Sequence, residues 1–238
     1  MLAVLAGTGF YSLGRAVREV KVKTEHGTAA IQRVSLAGEE LLFLPRHGKA
    51  HTIPPHRINY RANIAALGEL GVSGAICVYA CGIISKYRPG DIVLAEDFMA
   101  LWTPATFHDD FSGGMKHADF TMPFSTEMDE KIVEVASANS IPLKKGGIIA
   151  ATSGPRFETK AEIRALKNMG ANLVNMTAGN ELALLGEAEI DHAAIAVGTN
   201  YAAGIGGGKL RAQDSVETMR GAYADLIALI SGFVQETV

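Results

Sequence analysis

The chain has 238 residues, with 22 Lys plus Arg against 25 Asp plus Glu and seven His, a formal net charge of −3 that excludes polyelectrolyte binding, to nucleic acid or to an anionic membrane, as the default. With 48% hydrophobic and 20% charged residues, a chain of this length buries most of its unfolded surface, which predicts one domain over residues 1–238. Two cysteines, Cys77 and Cys81, exclude a disulfide framework, no apolar stretch nears the roughly 18 residues of a membrane span, and the start MLAVLAGTGFYS lacks a basic leader, so a cytoplasmic protein with reduced thiols is expected.

Leu2 to Ala6 is a short apolar run closed by Gly7-Thr8-Gly9, the pattern of a buried strand feeding a turn. Residues 29–36 and 40–44, joined by Ala37-Gly38-Glu39, read as a hairpin with Pro45-Arg46-His47-Gly48 at its end. Helical spacing of Ile58, Ala62, Ala65 and Leu70 predicts a helix to Leu70 stopped by Gly71, followed by a strand over 74–80. Another strand is expected over 91–99. Residues 100–125 carry Trp102, two prolines and four Phe without a period, and are expected to form one long loop with a function or an interface. Thr126, with Asp129 three residues on, suggests a capping box for a helix over 126–139. Then follow a strand over 147–152, a helix from Thr159 to Met169, a strand over 172–176, a helix over 179–189, a strand over 193–199 and a closing helix over 214–235. Strands alternating with helices predict an α/β sheet covered on both faces.

Chemically able residues recur just after strands: Thr8, Arg46 with His47, Ala80, Phe157 with Glu158, Thr177 and Asn200. In α/β sheets that is where ligands bind. Gly7-Thr8-Gly9 lacks the third glycine and distal acid of a dinucleotide fingerprint, but such a turn can offer backbone N–H groups and a hydroxyl to an anion. Arg46 adds a fork of donors suited to phosphate, and His47 a further donor. His47, His51 and His56 also allow a metal reading. It needs a carboxylate or further His in reach, and the spacing falls in Gly/Pro-rich sequence and not on a helix.

The motifs Gly7-Thr8-Gly9, PRHGKAHTIPPHRINYRANIAAL (45–67), Ala80-Cys81-Gly82, Pro89-Gly90-Asp91, Ser153-Gly154-Pro155-Arg156-Phe157-Glu158-Thr159, Asn175-Met176-Thr177 and Thr199-Asn200 occur in one order along nearly the whole chain. In this the sequence resembles the trimeric purine nucleoside phosphorylases and 5'-methylthioadenosine phosphorylases. The resemblance implies a nucleoside phosphorylase-like α/β domain, with a central twisted mixed sheet, partly barrel-like, flanked by helices. It also implies a pentosyltransferase of purine salvage: inorganic phosphate attacks C1' of a purine nucleoside and the base leaves. No metal or cofactor is expected, phosphate being a co-substrate. The implied partners are a small nucleoside and phosphate, with no nucleic acid and no membrane, in a homotrimer or homohexamer.

Carried onto this sequence, the resemblance assigns phosphate to Thr8, Arg46, His47, the Ala80 backbone and Thr177. It places Met176 against the ribose and Phe157 against the purine, makes Glu158 and Asn200 the catalytic pair at the base, and puts His51, His117, Val216 and Met219 among the substrate-binding positions, with His117 reaching a neighbouring subunit's sugar pocket. Tyr79 departs from the pattern, standing where many methylthioadenosine members have Thr.

The base can be argued from hydrogen-bond polarity. An ionised carboxylate only accepts, so Glu158 suits the N1–H of hypoxanthine or guanine and opposes the N1 lone pair of adenine. Asn200 can donate to O6 or N7. The methylthioadenosine branch resembles instead Thr-Asp-Tyr-Asp at the position of Thr199-Asn200-Tyr201-Ala202 and a small residue at 158. A 6-oxopurine nucleoside, inosine or guanosine, is therefore expected, with methylthioinosine or methylthioadenosine phosphorolysis as the alternative. Val216 and Met219, at i and i+3, suit either a methylthio pocket or core packing, and no histidine follows His192 to meet a 5'-hydroxyl.

Overall fold

The computed structural model describes residues 1–102 and 105–237. Among these, nine strands form one sheet in the order β2-β3-β4-β1-β5-β8-β7-β6-β9, and β5 (Gly74–Ile83) pairs also with β9 (Asp191–Tyr201). That last pairing closes β5, β8 (Leu173–Asn175), β7 (Leu143–Ala151), β6 (Ile92–Met99) and β9 into a barrel, from which β1 (Leu2–Ala6) and β4 (Glu39–Pro45) lead to β3 (Gly27–Leu36) and β2 (Arg15–Thr24) as a wing. The mixed, partly barrel-like α/β sheet implied by the sequence is the one found.

Both faces of the central strands are buried, as the apolar runs of β1 and β9 require. Ala3 and Leu5 of β1 join Ile64 and Leu67 of α1 (Tyr60–Glu69) and Leu182 and Leu185 of α4 (Ala178–Glu187) in one core. Val4 and Ala6 point the other way, to Ile132 and Val135 of α2 (Thr126–Ala138) and Leu226 and Phe233 of α5 (Ala212–Thr237). Alternate residues of one strand thus serve two helix layers.

Local signals are mostly realised. Ala37 and Gly38 both take positive φ, 55° and 96°, which suits the tight turn between β3 and β4. The Asn59 side chain accepts from the Ala62 N–H at the start of α1, and Gly71, at φ 72°, stops it. In α3 (Lys160–Asn168), Thr159 accepts from the Glu162 N–H while Glu162 accepts from the Thr159 N–H, a complete capping box. Two expectations are corrected. β2 was not anticipated: it is a mostly exposed edge strand, bulged between Ala16 and Arg18, and bulge and exposure blur its alternation. The N-cap of α2 is Ser125 and not Thr126, its side chain makes no capping bond, and Asp129 completes no box. Residues 100–102 and 105–125 hold no helix or strand, as expected of the long loop. Thr103 and Pro104 of that loop, and Val238 of the closing tail, lie outside the described residues.

Candidate active site

A cavity of about 200 Å³ opens where β1, β4, β5, β8 and β9 end, and Thr8, Arg46, His47, Ala80, Thr177, Met176, Phe157, Glu158 and Asn200 all line it. Nine residues from six separated chain segments, each singled out by sequence, therefore meet in one place.

At one end Arg46 is held from three sides. Its Nε donates to Glu181 Oε1 (2.7 Å), Nη1 to the Val78 carbonyl (2.9 Å) and Nη2 to the Leu5 carbonyl (3.1 Å). A guanidinium has five N–H groups, so one on each Nη is left over. Burial works against the charge, but Glu181 outweighs it and holds Arg46 firmly protonated. Tyr79 lies on the opposite face of β5 from Ala80, fully buried, its phenol donating to Glu181 Oε2 (3.0 Å) and its ring 4.6 Å under Arg46 Cζ. It therefore supports Arg46 from behind, and the hydroxyl that Thr would bring to the cavity is replaced by a buried brace. Glu181 and Tyr79 are parts of the site that sequence reasoning missed. Glu181 sits in an apolar helical stretch, and nothing local ties it to an arginine 135 residues away.

His47 has Nδ1 2.8 Å from the Ile53 carbonyl. Burial, helped by the neighbouring Arg46 charge and opposed by that carbonyl, pushes the imidazole pKa down to about 4. The neutral ring carries its hydrogen on Nδ1, because a carbonyl accepts only, and Nε2 keeps a lone pair. Gly7 explains how these groups come so near β1: a Cβ there would stand 2.8 Å from Arg46 Nη1 and 3.2 Å from His47 Nε2. Thr177 lies at the N-terminus of α4, whose free amides favour an anion. Asn175, also missed, fastens this corner: its Oδ1 accepts from the Thr177 and Ala178 N–H groups and the Thr177 hydroxyl, and its Nδ2 donates to the Ala80 carbonyl.

At the other end Glu158, 8% exposed, accepts from the Thr152 hydroxyl at 2.7 Å, leaving Oε2 for a ligand. Phe157 stands beside it, a partly exposed ring on the cavity wall. Asn200 donates from Nδ2 to the Tyr201 carbonyl (3.1 Å), and its Oδ1 lies 2.9 Å from both Thr199 Oγ1 and Ser215 Oγ. Met176, between the two ends, packs so closely on Gly154 that a Cβ there would stand 2.7 Å from its sulfur.

Four anticipated residues are not on this cavity within the chain. His51 is exposed, its ring 4.4 Å from that of His47. His117 lies on the long loop beside Phe111. Met219 is 1% exposed and packs beneath Gly9, and Val216 backs the same glycine through its carbonyl. Leu210, Ala212 and Ser215, at and just before the start of α5, line the wall instead. Among the described residues no group of three or more His, Cys, Asp or Glu is placed to hold a metal ion, and no helix is long and apolar enough to cross a membrane.

The model of the phosphorylase superfamily matches residues 2–235. The chain is 40% identical to the 6-oxopurine nucleoside phosphorylase of Pyrococcus furiosus, over 96% of this chain and 90% of the relative. It is 41% identical to the probable S-methyl-5'-thioinosine phosphorylase of Methanopyrus kandleri, over 86% of this chain and 80% of the relative. Methylthioadenosine phosphorylase from Schistosoma mansoni, in a complex with adenine, superposes with a TM-score of 0.89 at 26% identity, covering 99% of this chain and 90% of that one.

Proposed function

The chain belongs to the phosphorylase superfamily, and on that premise we propose that it is a 6-oxopurine nucleoside phosphorylase, splitting inosine or guanosine with inorganic phosphate into free base and pentose 1-phosphate. The observation that carries the reading is the polarity of the two cavity ends: a pinned Arg46 with Thr177 at one, and the acceptor Glu158 beside the donor-bearing Asn200 at the other. The several relatives bearing the 6-oxopurine name agree with it.

Phosphate lies on the spare N–H groups of Arg46, the Thr8 and Thr177 hydroxyls and the α4 amides. His47 Nε2, neutral, accepts a hydrogen bond from a P–OH group. A phosphate oxygen attacks C1' as the C1'–N9 bond breaks, and the electron pair of that bond passes to the purine. Glu158 Oε2 accepts from N1–H, Phe157 packs on the base, and the cavity-facing N–H of Asn200 donates to O6 or N7, a bond that strengthens as the purine becomes negative. Positioning and charge stabilisation suffice, so no metal or cofactor takes part.

The same proposal includes a cytoplasmic homotrimer or homohexamer. Leu101, Trp102, Phe111, Met115 and Met122 are large apolar side chains exposed along the long loop, which suits a subunit contact that carries His117 toward a neighbour's cavity. A methylthioinosine substrate is the second reading, favoured by Leu210 and Ala212 on the wall near α5 and by the Methanopyrus relative.

The deciding experiment measures base released from inosine, guanosine, adenosine, methylthioadenosine and methylthioinosine, each with and without phosphate. Phosphate-dependent release of hypoxanthine or guanine is expected. Release that ignores phosphate would mean hydrolysis and overturn the mechanism.

A further inference from the structure

We infer that Ser215, at the start of α5, is a positioning residue that sets base specificity by fixing which way the Asn200 carboxamide faces. The inference rests on the 6-oxopurine reading and adds a residue to it.

A carboxamide presents a donor and an acceptor that exchange places when the group turns over. Turned one way, Asn200 offers N–H to the O6 or N7 of an oxopurine. Turned the other, it offers Oδ1, which would accept from the amino group of adenine. The surroundings choose between them. The Tyr201 carbonyl, 3.1 Å from Nδ2, accepts only, so it admits the N–H side and repels the oxygen. Oδ1 then faces two hydroxyls, Thr199 Oγ1 and Ser215 Oγ, each at 2.9 Å. These are unequal. Thr199 Oγ1 also lies 3.2 Å from the Cys81 carbonyl, so its one hydrogen is divided between two acceptors. Ser215, 8% exposed, has Asn200 Oδ1 as the acceptor of its hydroxyl among the described residues. It is thus the stronger donor to the amide oxygen.

Ser215 also reaches across the chain. The segment from residue 202 to 211, with Gly204, Gly206, Gly207 and Gly208, joins β9 to α5 and contains no helix or strand. The Ser215–Asn200 bond is therefore a direct tie between the first turn of α5 and the base-reading end of β9.

The test is the ratio of kcat/KM for inosine to that for adenosine, with phosphate saturating, in the wild type, Ser215→Ala and Ser215→Thr. Loss of one neutral hydrogen bond that holds an orientation is worth about five- to tenfold in an equilibrium. Ser215→Ala is expected to lower the ratio by that factor, with the KM for phosphate unchanged, and Ser215→Thr to restore it. Binding of hypoxanthine and adenine to the same variants gives the ratio without turnover, and a melting curve shows whether each variant is folded. A Ser215→Ala protein that melts like the wild type yet keeps the wild-type ratio would overturn the inference, as would equal losses on both bases with no rescue by Thr. Failure of the functional reading looks different: the wild type itself would release no base from inosine or guanosine with phosphate.

Discussion

Gly7 and Arg46 approach each other so closely that one added carbon on the glycine would stand 2.8 Å from the guanidinium Nη1. Gly7 does not take a positive φ, so its smallness and not its backbone freedom is what the position needs. Arg46 has no room to yield, being tied to Glu181, Val78 and Leu5. Gly7→Ala is expected to weaken phosphate by roughly ten- to hundredfold in KM, the equivalent of an overpacking cost of about 1–3 kcal/mol. The KM for the nucleoside should move much less. Initial rates at varied phosphate decide it, and an unchanged phosphate KM would mean that Arg46 is not the anion's anchor.

The Arg46–Glu181 pair is almost wholly enclosed, with side chains 2% and 1% exposed. Removing one partner leaves a buried charge without its counterpart, so Glu181→Ala is expected to cost about 3–5 kcal/mol of stability. Tyr79→Phe keeps the ring under Arg46 and deletes only the donor to Glu181 Oε2, and about 1–3 kcal/mol is expected. Urea titrations measure both. A Tyr79→Phe protein as stable as the wild type would show that Glu181 finds another donor.

Glu158→Gln probes the other end. Thr152 donates to Oε1, and a glutamine that keeps this bond through its amide oxygen turns the amide nitrogen to the ligand. A donor would then face N1, which opposes inosine and suits adenosine. The kcat/KM for inosine is expected to fall about a hundredfold or more while that for adenosine rises. Equal losses on both nucleosides would remove Glu158 as the selector.

Acid acts on a buried and a half-buried group in opposite senses. His47 titrates near pH 4 in the fold, below its ordinary 6.5, so the unfolded chain binds more protons and stability drains away as pH falls through that window. Burial lowers His51 and His192 as well, with the same sign. Asp129 is the reverse: burial lifts it to about 6, one oxygen lacks a partner among the described residues, and its charge costs stability as pH rises above the usual carboxylate range. Asp129→Asn is therefore expected to raise stability at pH 7 and to steepen the loss between pH 6.5 and 4. Melting temperatures across that range test it; a variant less stable than the wild type at pH 7 would refute it. Because His47 stays neutral, it should add no step near pH 6.5 to the KM for phosphate beyond the one that phosphate's own second ionisation produces.

Much of the site was legible because its residues sit at strand ends, where Thr8, Arg46, His47 and Asn200 stand out against apolar runs. Glu158 and Asn200 could be read for base choice because donor and acceptor roles belong to residue types. What stayed hidden acts at a distance or from behind. Glu181 and Tyr79 touch Arg46 from a helix and from the far face of a strand, and Asn175 and Ser215 work through other side chains. Met219 shows the reverse failure: its helical spacing allowed a substrate pocket or a core position, and only the closeness of Gly9 places it in the core. β2 was missed because an exposed edge strand with a bulge has little apolar alternation to display.

The strand β5 pairs in turn with β1, β8 and β9, whose residues lie as far apart in the chain as Leu2 and Tyr201. Joining such distant segments is slow, since the loops must close before the contacts repay them. During synthesis Arg46 and His47 emerge early, but Asn200 and Ser215 come with the last sixth of the chain. A growing polypeptide therefore carries Arg46 and His47 long before Asn175, Thr177 and Glu181 arrive to complete the anion-binding corner, and the purine end follows later still with Asn200 and Ser215.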